Sequence, residues 1–165
     1  MMNPYGEIKK GDYLLTYDEL LEEANNNGIK VRELPLSDSD GRINGKRIAI
    51  RKGIPVVKKI CVLCEELGHY YTTVGNIIDQ KSTNEIKQEV MARKWSYDKL
   101  IGLTGIIRAF NNNCLNIYDM ADHLNVDIEF LNDALNYYRQ KYGVYTTLDN
   151  YIIYFEPNLA VLKMI

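Results

Sequence analysis

The chain has 165 residues, of which 46% are hydrophobic and 25% are charged, and this is the composition of a globular protein with a buried core. The net charge is −2, so the chain has no general excess of positive charge, and this disfavours direct binding to nucleic acid. Three cysteines, no apolar run of membrane-spanning length and no signal-peptide pattern favour a cytoplasmic protein without disulfides or membrane contact.

The first third of the chain predicts a helix followed by a small antiparallel sheet. Thr16 and Glu19 have the spacing of a capping box at a helix start. The segment 30–36 then has the composition of a short strand. Residues 43–50 alternate between apolar and polar side chains around Asn44-Gly45, which predicts a β-hairpin.

A long helix is predicted next, over about residues 55–71. At 100° per residue, one stripe of this helix is apolar and faces the core. Glu65, Glu66 and His69 fall together on the opposite side, where neighbouring apolar residues cover much of the helix surface. We therefore expect these three polar side chains to line a cleft.

The spacing of these side chains suits metal-dependent hydrolysis. Residues four positions apart lie one above the other on a helix, so Glu65 and His69 can hold one ion between them. Zinc accepts both carboxylate oxygen and imidazole nitrogen as ligands. Glu66, beside them, is the candidate catalytic residue, since a carboxylate there can take a proton from water at the metal.

A third ligand is expected from the helix predicted over about residues 83–101. Glu89 is the candidate, because it lies a full turn inside that helix. Glu85 is the alternative on the helix, although its spacing from Ser82 predicts a second capping box. Asp79, in the preceding loop, is a further alternative. Such a carboxylate-rich set favours one divalent cation, either zinc or an oxygen-preferring ion such as manganese.

The remaining residues, 102–165, predict a helical C-terminal subdomain whose apolar tail, residues 150–165, has the pattern of a strand followed by a docking segment. Residues 118–142 have the spacing of a helix-turn-helix. The helix that would enter the DNA groove carries Asp127, Glu129 and Asp133, whose negative charges would face phosphates. This subdomain is therefore interpreted as a packing or partner-docking unit.

The motif C-E-E-L-G-H at residues 64–69, the preceding RIAIRKGIP and the later QEVMARKWSYDKLI together resemble the ImmA/IrrE family of metallo-endopeptidases. The resemblance implies an α+β fold in which residues 1–101 form a gluzincin-like metallopeptidase core, with the small sheet on the active-site helix. It matches Glu66 to the general base, His69 to a retained ligand and Glu89 to the third ligand. Glu65 replaces the first histidine of H-E-x-x-H. Arg93 stands at an asparagine position of the family.

The family resemblance also implies a function. Members of this kind are phage or mobile-element antirepressors that cleave a helix-turn-helix repressor, so a zinc-dependent hydrolase with a repressor protein as partner is expected. One alternative is a catalytically weak or inactive pseudo-protease that binds the repressor without cutting it. A third option, which rests on the helix-turn-helix spacing and not on the resemblance, is a small DNA-binding regulator. On the residues alone, E-x-x-H also occurs on ordinary solvated helices, and His69 then has no metal role.

Overall fold

A computed structural model describes residues 14–73 and 84–165. The six helices of these ranges are Tyr17–Asn26 (α1), Val56–Thr73 (α2), Asn84–Leu100 (α3), Gly102–Asn111 (α4), Ile117–Leu124 (α5) and Ile128–Tyr142 (α6). The six strands are Lys30–Leu34 (β1), Gly41–Asn44 (β2), Arg47–Arg51 (β3), Tyr145–Leu148 (β4), Tyr151–Tyr154 (β5) and Ala160–Lys163 (β6). The presence of both helices and strands confirms the α+β class.

The first three strands form a sheet with the order β1-β3-β2. The predicted hairpin is confirmed, because β2 and β3 pair antiparallel with Ile43 opposite Ile48. The prediction of an antiparallel sheet is wrong for β1, which pairs parallel to β3. The reason is topological, because the loop 35–40 carries the chain from β1 to the opposite edge of the sheet, where β2 runs back. The hairpin then places β3 between the two edge strands, in the same direction as β1.

Helix α1 begins with the predicted capping box, in which the Thr16 hydroxyl accepts from the Glu19 N–H and Glu19 accepts from the Thr16 N–H. Helix α1 also contacts the two longest helices, α2 and α3. Glu23 accepts hydrogen bonds from the Tyr71 hydroxyl of α2, at 3.2 Å, and from Lys99 Nζ of α3, at 2.7 Å. These contacts link α1, α2 and α3 through one carboxylate.

Helices α2 and α3 form the centre of the molecule. The middle of α2 is buried on most of its circumference, including Ile60, Val62, Leu63 and Leu67. At Gly68 the backbones of the two helices come so close that an added Cβ would lie 2.5 Å from the carbonyl oxygen of Ala92. Glycine at this position is therefore what allows the two helices to pack at this distance.

The C-terminal part contains helices, as predicted, but three strands instead of the one expected in its apolar tail. Helices α4, α5 and α6 are followed by an antiparallel sheet with the order β4-β5-β6. The helix-turn-helix-like segment corresponds to α5 and α6, which a left-handed Asn125 connects. Apolar side chains of both parts join one continuous core, from Leu20 to Val161. Within the described ranges, no helix is both long enough and apolar enough to cross a membrane.

Candidate functional site

The predicted site residues all line one cavity of about 400 Å³. We call it the acidic cleft and define it by Glu65, Glu66 and His69 of α2 together with Glu89 of α3. The start of β2 and the first turns of α6 complete its walls, which include Gly41, Phe130 and Asp133. The expectation that the polar face of α2 lines a cleft is thus met.

Two of the three candidate metal ligands are in contact. His69 Nε2 lies 3.2 Å from Glu89 Oε2, although the residues belong to different helices. This contact depends on the close packing of α2 and α3 at Gly68, the residue immediately before His69. Of the alternatives to Glu89, Asp79 and the side chain of Glu85 lie outside the described residues, as does Ser82.

Glu89 also has a second partner. Arg93 Nε donates to Glu89 Oε1 at 3.0 Å, so the two oxygens of this carboxylate face an imidazole on one side and a guanidinium on the other. The positive charge of Arg93 acts on Glu65 as well, and opposes the effect of burial on the pKa of Glu65. Arg93 is therefore a cation built into the acidic cleft.

Glu65 and Glu66 are half-buried carboxyls with altered acidity. Burial, with a contribution from Glu89, raises the pKa of Glu65 to about 7 despite the nearby arginine. Burial raises the pKa of Glu66 to about 7 too, and the charges of Glu65 and Glu89 add to the shift. A carboxyl with such a pKa gains and loses a proton easily at neutral pH, which suits a general acid or base.

The position of Glu66 depends on a glycine in β2. A Cβ added to Gly41 would lie 2.7 Å from Glu66 Oε1 and 2.4 Å from Val62 Cγ1. Any side chain at residue 41 would therefore displace the Glu66 carboxyl or the valine beneath it. The sheet thus approaches the candidate catalytic residue with bare backbone.

The donor chemistry fits a divalent cation, but the geometry fits it only in part. One imidazole and two carboxylates are suitable ligands for zinc or manganese, and His69 and Glu89 are close enough to share an ion. In the part of the chain that the structure describes, however, no three His, Cys, Asp or Glu side chains lie close enough together to hold a metal. Glu65 lines the cleft without joining the pair.

The two cysteines of the C-x-x-C pair, residues 61 and 64, are buried in the core, although Cys61 also lines the acidic cleft. Both thiols are free and buried. Burial raises the pKa of Cys61 to about 12, and Cys61 Sγ accepts a hydrogen bond from the Asp127 N–H at 3.4 Å. Protonated thiols of this kind are poor metal ligands and act as small apolar side chains.

Some residues of the site do not emerge from motif reasoning. Arg93 was identified only as a replacement for asparagine, although its position four residues after Glu89 on a helix is the spacing of an ion pair. Gly41 and Asp133 had no such signal, since they reach the cleft only through the tertiary packing of β2 and α6.

No protein-family model, curated protein or solved structure matches this chain.

Proposed function

We propose that the protein is a metal-dependent endopeptidase whose substrate is a helix-turn-helix repressor, as the resemblance of its motifs implies. The observation that supports this proposal best is the 3.2 Å contact between His69 Nε2 and Glu89 Oε2. It joins an E-x-x-H helix to a glutamate twenty residues later, and these are the positions that a gluzincin-like site requires. The kind of repressor protein rests on the resemblance alone.

In this proposal His69 and Glu89 would hold one divalent cation, zinc or manganese, and the Glu65 side chain would turn from the wall of the cleft to complete the ligand set. When bound, such a cation polarises a peptide carbonyl and makes water more acidic. Glu66 accepts the proton of the attacking water and returns it to the leaving amine. Between these two steps the Glu66 carboxyl holds the proton. The close approach of the Gly41 backbone holds the Glu66 side chain in place on one side.

Metal retention tests the ligand set directly. We expect Glu65→His to bind zinc at least about tenfold more tightly than the native chain, because imidazole is a better zinc ligand than a half-buried carboxyl. His69→Ala should lose binding. Zinc and manganese affinities measured by competition with a chromophoric chelator check both expectations. If Glu65→His bound zinc more weakly, Glu65 would have no place among the ligands.

A second function has support from Arg93. Its guanidinium already supplies a positive charge to Glu89 and acts on Glu65, so the acidic cleft has charge compensation without a metal. This arrangement favours a pseudo-protease that binds the repressor through the cleft or the C-terminal helices and does not cut it. The two functions differ in whether a metal displaces Arg93 from Glu89.

Substituting Arg93 separates these two functions. We expect Arg93→Asn to raise zinc affinity, because it removes a cation that competes with the metal for Glu89. The gain should be limited to about tenfold, because solvent screens the half-exposed charge of Arg93. Arg93→Lys keeps the charge and is the matched control, with an affinity close to that of the native chain. The same chelator competition gives both values. Metal-dependent cleavage by the native chain supports the peptidase, whereas metal binding seen only in Arg93→Asn supports the pseudo-protease.

A further inference from the structure

The outer face of the first sheet carries a cluster of positive charges. We call it the basic face and define it by Lys30 and Arg32 of β1, Arg42 of β2, Lys46 of the hairpin turn and Arg47 of β3, all of which are exposed. The opposite face of the same sheet is apolar and packs against the core through residues such as Ile48 and Ile50. The net charge of −2 disfavours nucleic-acid binding for the chain as a whole, but it hides this local concentration of positive charge.

Strand register arranges the basic face in two rows. Lys30, Arg47 and Asn44 lie side by side in the first row. In the second row Arg32 and Arg42 lie on either side of Ala49. Neighbouring strands are about 4.8 Å apart and the rows about 6.6 Å apart, so the cations form a flat grid instead of a single contact point.

The small side chain of Ala49 leaves a hollow between the two arginines. The cavity there has a volume of about 490 Å³, and Lys30, Arg32, Arg42 and Arg47 supply its charge. None of the described residues that line it is acidic. The nearby Glu33 alternates to the other side of β1, where Lys59 of α2 binds it at 2.8 Å.

Most of these cations are available to a ligand. Arg42 pairs with Asp38 at 2.8 Å, but both side chains are more than half exposed, and such a pair is weak. Lys46 Nζ donates to the Asn27 carbonyl oxygen. Over residues 14–73 and 84–165, the structure gives no ion pair to Lys30, Arg32 or Arg47. Uncompensated cations around a hollow attract an anionic ligand.

We propose that the basic face binds the phosphodiester backbone of duplex nucleic acid without reading its sequence. Three arginines and a lysine on a flat grid complement a regular array of phosphates. Among the described residues that line the hollow, Leu34 and Ile48 are large and apolar but none is aromatic, so the aromatic anchors of a protein interface are absent there. The same described residues offer no aromatic ring on which single-stranded bases would stack.

Fluorescence anisotropy with a labelled 20-base-pair duplex tests the proposal on the full chain. About four neutralised phosphates give a slope near −3.6 in log affinity against log salt concentration, so affinity falls about a hundredfold between 50 and 200 mM salt. We expect Arg32→Glu/Arg47→Glu to bind at least about tenfold more weakly and to halve the slope. Lys87→Glu/Lys163→Glu has the same change in charge at exposed positions off the face, and it should keep most of the affinity.

The outcomes are decisive in either direction. Thermal unfolding confirms that the charge-reversed chain is folded, and Arg32→Gln/Arg47→Gln replaces it if it is not. The proposal is overturned if the duplex does not bind at 50 mM salt, or if both double variants lose affinity equally. It is also overturned if polyglutamate or inorganic phosphate competes as well as the duplex at the same concentration of negative charge. Those two results would indicate an acidic protein segment and a simple anion site, respectively.

Discussion

Glu66→Gln should lower the rate of metal-dependent peptide hydrolysis by about 10² to 10⁴-fold, because the amide cannot accept a proton from water. Glutamine has nearly the same shape, so the packing beneath Gly41 should remain. Metal affinity should change little, since Glu66 is not among the proposed ligands. Initial rates on a fluorogenic casein substrate, with metal at saturation, give the ratio.

The control for this substitution is Glu22→Gln, the same chemical change on the exposed side of α1. It should hydrolyse casein at the native rate. If Glu66→Gln also kept the native rate, the assignment of Glu66 as the base would be wrong. If neither protein cleaved casein, binding of the repressor protein by both would favour the pseudo-protease.

Gly68→Ala should destabilise the fold by about 1–3 kcal/mol, although alanine is the better helix former. The new methyl group would lie 2.5 Å from the Ala92 carbonyl oxygen, and backbone cannot move aside as the end of a flexible side chain can. Helices α2 and α3 must then separate. At about 2–4 °C per kcal/mol for a chain of this size, thermal unfolding should shift down by several degrees. His69 and Glu89 should also move apart, which lowers metal affinity.

Gly105→Ala in α4 is the matched control. Its Cβ would lie 3.3 Å from the Cδ2 atom of Leu124, the end of a flexible side chain. The gain in helix propensity, up to about 1 kcal/mol, should balance or exceed this crowding. Circular dichroism melts of the two variants make the comparison. An unchanged melting temperature for Gly68→Ala would show that the two helices can repack at no cost.

Local patterns predicted much of this fold. The capping box of α1 and the hairpin around Gly45 depend on residues close in sequence, and both are present. The helices predicted over 55–71 and 83–101 lie at Val56–Thr73 and Asn84–Leu100. Helix α4 was not predicted, because its apolar residues continue those of α3. The left-handed Gly102 separates the two helices, and its N–H donates to the Tyr138 hydroxyl of α6.

Long-range features were beyond the reach of the sequence. Helical spacing correctly predicted that Glu65, Glu66 and His69 share a side of α2, and the same kind of spacing would have predicted the pair of Arg93 with Glu89. No local pattern shows that β1 runs parallel to β3. The part of α6 in walling the cleft, through Phe130 and Asp133, likewise arises from packing between distant segments.

Through the carboxylate of Glu23, helix α1 affects the acidic cleft although none of its residues lines that cleft. Because this one group binds both Tyr71 and Lys99, it clamps the two central helices together. A shortened chain that began after α1 would lose this clamp, and its helices could spread. Shortening designed only to remove surface residues would then lower the affinity of the proposed metal site, even with every candidate ligand still in the chain.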